Sequence, residues 1–394
     1  MAHKEKLKKK SKRYLLILSL AGVLSIGILS YLNLYSEGKL KEIVGTPKLK
    51  QTIYPKQFSD ENITSNAVIS DPEFRNLFVF DKNVILANTI SAVTPNPNGV
   101  IDNEPEKGTW LWTPILDQTE TYRKSVILGA KKNGVRNIYI SLDSYLDIFV
   151  LPDGPEKKKM KDDFDSTLEA FITLAHQNGI SVDAEGGWRN WAEIGHSYKA
   201  FTILDYAIRF NKTHTEKLRG FQYDVEPYLL EAYQDNKAKV LGNFINLIDE
   251  TVARLNGSDL LFSVVIPDFY DGATGETPKF FYAGSQTYTF DHLLKILERR
   301  TGSSIIVMSY RNFSKGDDGS IEISRDEIQR ANTYKTKIIV AQETGDVNPP
   351  YVTFFKTTKP YYRKQLLAIE KEFAIEKSFG GVAVHYINAL IDLK

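Results

Sequence analysis

"GFQYDVEPY", residues 220–228, alternates apolar and polar side chains and contains two carboxylates, Asp224 and Glu226, one residue apart. A side-chain period of two predicts a β-strand whose apolar residues face one side and whose polar residues face the other. Burying two acids at the end of such a strand is costly unless something compensates for the lost hydration. The stretch therefore predicts both a strand and a chemical site at the end of that strand.

Similar short apolar runs recur along residues 108–394, with amphipathic helical patterns between most of them. Eight strand–helix units over roughly 285 residues have the size and alternation of a (β/α)8 barrel. The alternative is an open doubly wound sheet, which would normally show a glycine-rich phosphate-binding turn after its first strand, and none is present. The sequence thus predicts a (β/α)8 TIM barrel with strands at 109–114, 136–142, 180–188, 220–227, 260–267, 304–310, 337–344 and 380–386.

Helical patterns occupy, among others, residues 165–179, 238–257 and 363–378. Glycine stands where several helices should end before the next parallel strand, because glycine adopts the left-handed conformation of a helix C-terminus most readily. These expected helix ends are at Gly134, Gly179 and Gly257.

The N-terminal part differs in composition from the barrel. Residues 1–13 carry seven Lys or Arg against one Glu, and residues 14–34 contain no charge, which is the length of a membrane-spanning helix. A cleaved signal peptide is the alternative, although such a peptide has a shorter apolar core and a small-residue cleavage site. The sequence predicts a basic cytoplasmic tail at 1–13, a transmembrane signal anchor at 14–34, an extracellular stalk or cap at 35–107 and the barrel at 108–394.

Composition narrows the possible functions. The chain beyond the basic tail is mildly acidic and offers no electrostatic footprint for nucleic acid. The absence of cysteine excludes disulfides, a thiolate nucleophile and a cysteine metal site, and suits a bacterial cell-surface protein. The six histidines form no H-x-H or H-E-x-x-H pair, so we expect neither a metal nor another cofactor.

Carboxylates and aromatic residues follow most of the predicted strands, at the end where (β/α)8 barrels carry their chemistry. Glycoside hydrolysis needs an acid for the leaving oxygen and a second group at the oxocarbenium-like centre, and aromatic faces stack on sugar rings. The candidates for catalysis are Glu226, Asp224, Tyr310 and Glu343. The candidates for substrate binding are Trp112, Asp183, Glu185, Trp188, Asp268, Arg311, His385 and Tyr386.

Four short motifs resemble those of the chitinase-like glycoside hydrolases of family 18, in the same order along the barrel. The stretch ending at Glu226 resembles D-x-x-D-x-D-x-E, and AEGGW at 184–188 is similar to S-x-G-G-W. VMSYRNF at 307–313 resembles M-x-Y-D, and GGVAVHY at 380–386 resembles a G-G-hydrophobic run that ends in Trp. The resemblance implies a barrel that acts on a sugar substrate.

The resemblance also implies roles for three residues. Glu226 would be the general acid/base, and Asp224 would orient an N-acetyl group of the substrate, whose carbonyl oxygen attacks the anomeric carbon. Tyr310 would hydrogen-bond that same group. The polysaccharide would therefore contain amino sugars, as cell-wall glycans and exopolysaccharides do.

This sequence departs from the family pattern at several positions, which leaves two alternatives open. In one, a retaining glycosidase pairs Glu226 as acid/base with Glu343 as nucleophile. In the other, the barrel binds carbohydrate without cleaving it. The departures are Arg219 and Gln222 for two acids of the signature, Ala184 for Ser, Arg311 for Asp and His385 for Trp.

Overall fold

Short buried strands alternate with helices throughout residues 106–394, the part of the chain that the computed structural model describes. The strands are β1 Glu106–Leu111, β2 Asn137–Ser141, β3 Ser181–Gly186, β4 Gly220–Tyr223, β5 Leu261–Pro267, β6 Phe280–Tyr282, β7 Ser285–Thr287, β8 Ser304–Met308, β9 Lys337–Glu343 and β10 Phe379–His385. The α-helices are α1 Glu120–Lys132, α2 Tyr145–Phe149, α3 Pro155–Gln177, α4 Ser197–Thr213, α5 Glu231–Asp235, α6 Lys237–Arg254, α7 Thr289–Leu297, α8 Ser320–Ala331, α9 Lys359–Phe373 and α10 Ile387–Asp392.

Eight of the strands pair in parallel and close into a barrel in the order β1-β10-β9-β8-β5-β4-β3-β2. The remaining two, β6 and β7, form a small antiparallel hairpin between β5 and α7. The predicted (β/α)8 barrel is therefore confirmed. All eight predicted barrel strands are present, with ends that differ by up to four residues, because several apolar runs continue past the last ladder pair.

The predicted tail, transmembrane anchor and nearly all of the stalk lie outside the described residues. Within residues 106–394, no helix is long and apolar enough to cross a membrane. The first strand begins at Glu106, two residues before the predicted start of the barrel.

The helix ends expected at glycine are confirmed. Gly134, Gly179 and Gly257 follow α1, α3 and α6 with φ angles of 70°, 70° and 77°. In contrast, α3 begins ten residues before the predicted position, since its first turns carry Lys–Asp pairs at i, i+4 instead of an apolar stripe. Its charged start therefore escaped a search for hydrophobic periodicity.

Side chains from six strands fill the interior of the barrel, which is a packed core and not a pore. The indole N–H of Trp110 donates to the side-chain oxygen of Gln222 at 2.6 Å, and the Gln222 amide donates to Ser263 at 3.2 Å. Gln222 is thus one of the groups that satisfy the buried polar atoms of the core. The core cluster comprises Trp110, Tyr139, Val265, Ile306, Ala341 and Ala383.

The amino end of the barrel carries a buried charge pair. Arg219, the residue before β4, binds Asp183 through two hydrogen bonds of 2.9 and 2.7 Å and also reaches Glu106. Asn137, the first residue of β2, donates to the same Asp183 carboxylate at 3.0 Å. The assignment of Asp183 to the substrate site is therefore wrong: its side chain points inward, but it lies at the end of the barrel opposite Glu226.

Gly187 lies directly after β3, where the chain passes against the backbone beyond β4. A Cβ atom at this position would stand 2.0 Å from the carbonyl oxygen of Asp224. The backbone N–H of Asp224 in turn donates to the Gly186 carbonyl at 3.2 Å. Only a residue without a side chain lets the ends of β3 and β4 approach this closely, so the glycine fixes the position of Asp224.

We predict that Gly187→Ala destabilises the protein by about 1–3 kcal/mol, because the added methyl group forces the two backbone segments apart. Thermal unfolding of the variant measures the effect. Gly195→Ala is the matched control, since a Cβ at Gly195 meets nothing within 4 Å. Equal melting temperatures for the two variants would contradict the proposed close approach.

Candidate active site

The end of β4 is held by aromatic packing on the outside of the barrel. Phe221 and Tyr223 are fully buried, and Tyr223 makes edge contacts with Phe262 at 5.8 Å and with Trp191 at 6.4 Å between ring centres. Because alternate residues face opposite sides of a strand, these rings direct Gln222 into the barrel. The ladder ends at Tyr223, so Asp224 and Glu226 lie just beyond the strand, at the mouth of the barrel.

Glu226 is partly buried and lies among tyrosines. Burial raises the pKa of its carboxyl, and a hydrogen bond donated by the Tyr228 hydroxyl acts in the opposite direction. A positive charge on His385 would also lower this pKa. A carboxyl with a raised pKa keeps its proton nearer to neutral pH, which is the state that a general acid needs.

Three further carboxyls lie on the segments that follow or end neighbouring strands, and Asp224 is close enough to Glu226 for their charges to interact. Asp143 follows β2, Glu185 belongs to β3 and Asp224 follows β4. Ser141, Glu185 and Gln222 stand opposite one another in the parallel register, which brings the ends of these strands together. We call Asp143, Glu185, Asp224 and Glu226 the mouth carboxyls.

Burial is the main cause of the raised pKa at each of the other three mouth carboxyls. It raises the pKa of Asp143 to about 7, with an opposing hydrogen bond from the Gly187 N–H at 3.3 Å and a smaller rise from the charge of Asp147. The pKa of Glu185 is raised by burial and then by the charges of Asp143 and Asp224. The pKa of Asp224 is raised by burial and then by the charges of Glu226 and Asp143.

Glu185 is only 1% exposed, which changes its expected role. A side chain that solvent cannot reach does not contact a substrate, so the assignment of Glu185 to substrate binding is corrected. Its carboxyl lies close enough to Asp224 for the charge of Asp224 to raise its pKa.

Tyr310 follows β8 and lies close to three acidic side chains. Burial raises the pKa of its hydroxyl, and the charges of Glu343, Asp224 and Glu226 raise it further. Its ring lies 6.4 Å from that of His385 in a stacked arrangement. The structure thus brings Tyr310 together with both Asp224 and Glu226, as the motif resemblance implies.

Trp112, His385 and Glu343 form a hydrogen-bonded chain across the mouth. The indole N–H of Trp112 donates to Nε2 of His385 at 2.9 Å, so this nitrogen is the acceptor in the hydrogen bond. The hydrogen of His385 then lies on Nδ1, which donates to Glu343 at 2.7 Å. The other oxygen of Glu343 accepts from the backbone N–H of Gly345 at 2.6 Å, and both oxygens are therefore engaged.

Trp188 and Tyr386 also lie in the segments that follow barrel strands. Trp188 is 55% exposed, with the Arg189 guanidinium 5.5 Å from its ring centre. Tyr386 makes an edge contact of 5.2 Å with the His385 ring. Their parts in substrate binding stay predictions.

Two other predicted residues have structural partners away from the mouth carboxyls. Arg311 is 4% exposed and donates to the Tyr310 carbonyl at 2.7 Å and to Asp318 at 2.9 Å. The assignment of Arg311 to substrate binding is corrected accordingly, since Arg311 holds the loop between β8 and α8. Asp268 lies near Glu327 of α8, whose pKa its charge helps to raise, and its role in substrate binding stays a prediction.

Asp143 and Tyr228 escaped the sequence analysis. Asp143 follows the predicted strand 136–142 directly, so its position at a strand end was the available signal. Tyr228 follows Glu226 by two residues, but a hydrogen bond across a short turn has no sequence pattern of its own. Residues 106–394 contain no group of three or more His, Cys, Asp or Glu side chains arranged to hold a metal ion.

No protein-family model matches the sequence, and no curated protein matches it either. Among solved structures, the endo-1,4-β-D-mannanase of Thermotoga petrophila RKU-1 has a TM-score of 0.50 at 11% identity, covering 72% of this chain and 88% of that one. This similarity shows a common barrel fold.

Two further solved structures belong to the same range of similarity. A GH18 chitinase from Pseudoalteromonas aurantia has a TM-score of 0.42 at 13% identity, covering 71% of this chain and 93% of that one. The spore cortex-lytic enzyme SleL of Bacillus megaterium QM B1551 has a TM-score of 0.41 at 14% identity, covering 74% of each chain. The expected resemblance is confirmed for the barrel fold alone, on the match with a TM-score of 0.50.

The raised pKa values predict that stability falls as the pH rises. A carboxyl whose folded-state pKa exceeds its unfolded value stabilises the fold below the unfolded pKa, and this contribution is lost as the pH rises through the folded pKa. For Asp143 the window runs from 3.8 to about 7, which corresponds to about 4 kcal/mol at most. We expect Asp143→Asn to flatten the decline in melting temperature between pH 4 and pH 8.

The exposed Asp317 provides the matched control, and Asp317→Asn should keep the wild-type slope. An Asp143→Asn protein whose melting temperature declines as steeply as the wild type would show that Asp143 is ionised throughout this range.

Proposed function

We propose that this protein is a glycoside hydrolase that cleaves an amino-sugar-containing polysaccharide, with Glu226 as general acid/base. The observation that carries the proposal is the pairing of Asp224 and Glu226 beyond β4, in surroundings that raise the pKa of both carboxyls. Two neighbouring carboxyls cannot both ionise freely in a buried site, so one is held protonated beside the other. Such a pair is costly to the fold and useful for chemistry.

In the proposed reaction, the proton of Glu226 passes to the glycosidic oxygen as the bond to the leaving sugar breaks. The carbonyl oxygen of the substrate's own N-acetyl group forms the new bond to the anomeric carbon, while Asp224 and Tyr310 orient that group. Water then attacks the same carbon, the bond from the acetamido oxygen to that carbon breaks and restores the N-acetyl group, and the Glu226 carboxylate accepts the proton of the water. The carboxyl of Glu226 is thereby restored for the next cycle.

The alternative with Glu343 as nucleophile is less well supported. Glu343 is 3% exposed, and its two oxygens accept hydrogen bonds from His385 and from the Gly345 backbone. A nucleophile must present an oxygen to the substrate, whereas these bonds hold the carboxylate against the barrel wall. We assign Glu343 the role of orienting His385.

The alternative of a barrel that binds carbohydrate without cleaving it rests on three departures from the family pattern, Arg219, Gln222 and Arg311. Arg311 holds the loop between β8 and α8 through the Tyr310 carbonyl and Asp318. Arg219 lies at the amino end of the barrel, where it pairs with Asp183, and Gln222 bonds to Trp110 inside the core. Neither residue therefore removes a group from the mouth. Asp143 and Glu185 supply carboxyls there from the ends of β2 and β3, which favours a catalytic site.

We further propose that the barrel acts outside the cell, attached to the membrane by residues 14–34. The support is the uncharged run of 21 residues behind a basic tail, together with the absence of cysteine. The substrate would then be a cell-wall glycan or an exopolysaccharide within reach of the anchored barrel.

We predict that Glu226→Gln lowers kcat by about 10²–10⁴-fold and leaves the fold intact, because the amide keeps the size of the carboxyl but cannot deliver a proton. The assay is release of shorter sugars from chitin, peptidoglycan and poly-N-acetylglucosamine oligomers. The exposed Glu156 gives the matched control, and Glu156→Gln should retain full activity. Full activity of Glu226→Gln on a substrate that the wild type cleaves would refute this assignment.

The same assay with Glu343→Gln separates the two mechanisms. Loss of an orienting residue should cost much less than loss of the acid, and azide should not restore turnover. A loss equal to that of Glu226→Gln, with rescue by azide, would instead make Glu343 the nucleophile.

A further inference from the structure

A cavity of 420 Å³ lies between the segment that follows β3 and the helices that follow β4. One wall comes from residues 192–194, before α4, and the other from residues 230–243, which include α5 and the first turns of α6. We call this cavity the side groove. The lining residues that matter here are Glu193, Ile194, Asp235, Asn236, Lys239 and Asn243.

Both walls of the side groove are continuous with the mouth. Leu230 is reached from Glu226 through a single 3-10 turn, Pro227–Leu229, and therefore lies within about 15 Å of it. On the other side, Gly187 packs against Asp224, and the exposed Trp188 follows directly. A tight turn, closed by the Trp191 N–H on the Trp188 carbonyl at 3.0 Å, then leads to residues 192–194.

The turn is anchored firmly on the barrel. Trp191 is 2% exposed and packs edge-on against Tyr223 of β4. Anchoring Trp191 in this way leaves Trp188 on the surface before the turn and Ile194, which is 83% exposed, after it. The loop that connects the mouth to the side groove therefore carries two exposed apolar side chains, Trp188 and Ile194.

The lining of the side groove suits an uncharged or N-acetylated sugar chain. Carboxylates of Glu193 and Asp235, amides of Asn236 and Asn243 and the ammonium group of Lys239 supply both donors and acceptors for hydroxyl and acetamido groups. The two signs of charge are mixed, which disfavours a polyanion such as a nucleic acid. Ile194 offers an apolar surface for the hydrophobic face of a sugar ring.

We propose that the side groove binds sugar units of the same polysaccharide beyond those that flank the cleaved bond, so that cleavage depends on chain length. This inference rests on the proposed function. Long chains gain contacts in the side groove that short chains cannot reach, and the gain appears in KM because these contacts are equal in the ground state and the transition state. The enzyme therefore favours long polymers over short oligomers.

The test compares the double variant Lys239→Ala/Asn243→Ala with the wild type on short and long N-acetylglucosamine oligomers. We expect KM for long oligomers to rise about ten-fold, equivalent to ~1.4 kcal/mol of binding, with kcat and the kinetics on short oligomers unchanged. The double variant Gln329→Ala/Lys371→Ala, on the exposed faces of α8 and α9, is the matched control and should behave as the wild type. If the wild type cleaves long oligomers and Lys239→Ala/Asn243→Ala has an unchanged KM for them, the side groove does not bind sugar. That outcome leaves the proposed function unaffected.

Calorimetry with the same oligomers separates binding from cleavage. In a Glu226→Gln background, the side-groove substitutions should weaken the binding of long oligomers about ten-fold and leave that of short ones unchanged. If the wild type cleaves no glycan but this loss of binding is observed, the side groove is a glycan site and the proposed hydrolysis is wrong. If long oligomers bind no more tightly than short ones to the Glu226→Gln protein, the proposal that the side groove binds sugar units is wrong.

Discussion

Burial of carboxyl groups at the ends of three adjacent strands is the constraint on which this site depends. Lost hydration is the first cause of the raised pKa values of Asp143, Glu185, Asp224 and Glu226. Charges of nearby acids raise the first three further: Asp147 acts on Asp143, Asp143 and Asp224 act on Glu185, and Glu226 and Asp143 act on Asp224. Within residues 106–394, no positively charged side chain contributes to the pKa shifts of Asp143, Glu185 and Asp224. Burial without a positively charged partner disfavours the ionised form of these acids, so they keep their protons to a higher pH. The protonation state of the site therefore depends on how well its packing excludes water.

Both ends of the barrel contain buried carboxyl groups, but the groups that lie next to these carboxyls differ. At the amino end, Arg219 neutralises Asp183 with paired hydrogen bonds, and the charges stay fixed. At the mouth, carboxyls lie near other carboxyls, and the pKa values of Glu185 and Asp224 are raised as a result. A buried ion pair contributes to the fold alone, whereas a buried carboxyl with a mobile proton can do chemistry. The location of Arg219 therefore explains why its departure from the family signature leaves the mouth intact.

Much of this arrangement could be predicted from the sequence, and the failures have physical causes. Alternation with a period of two identified the barrel strands and directed Asp183 and Glu185 to the same inner face. Alternation could not show how far each side chain lies from the mouth. Asp183 lies about 7 Å farther from the mouth than Glu185 along β3, within reach of Arg219 just before β4. The hairpin of β6 and β7 was missed because each strand has three residues and no alternation long enough to detect. The position of Asp143 at a strand end is visible in the sequence, but its approach to Glu185 and Asp224 depends on the strand register, which only the closed barrel supplies.

The account's central claim is that Glu226 holds a proton at a pH where an ordinary glutamate is ionised. Carbon-13 NMR of glutamate side-chain carboxyls, titrated in the wild type and assigned by loss of the signal in Glu226→Gln, measures this directly. We predict that the Glu226 signal keeps its protonated position above the ordinary glutamate pKa of about 4.3. A Glu226 signal that titrates at that ordinary value would contradict the account.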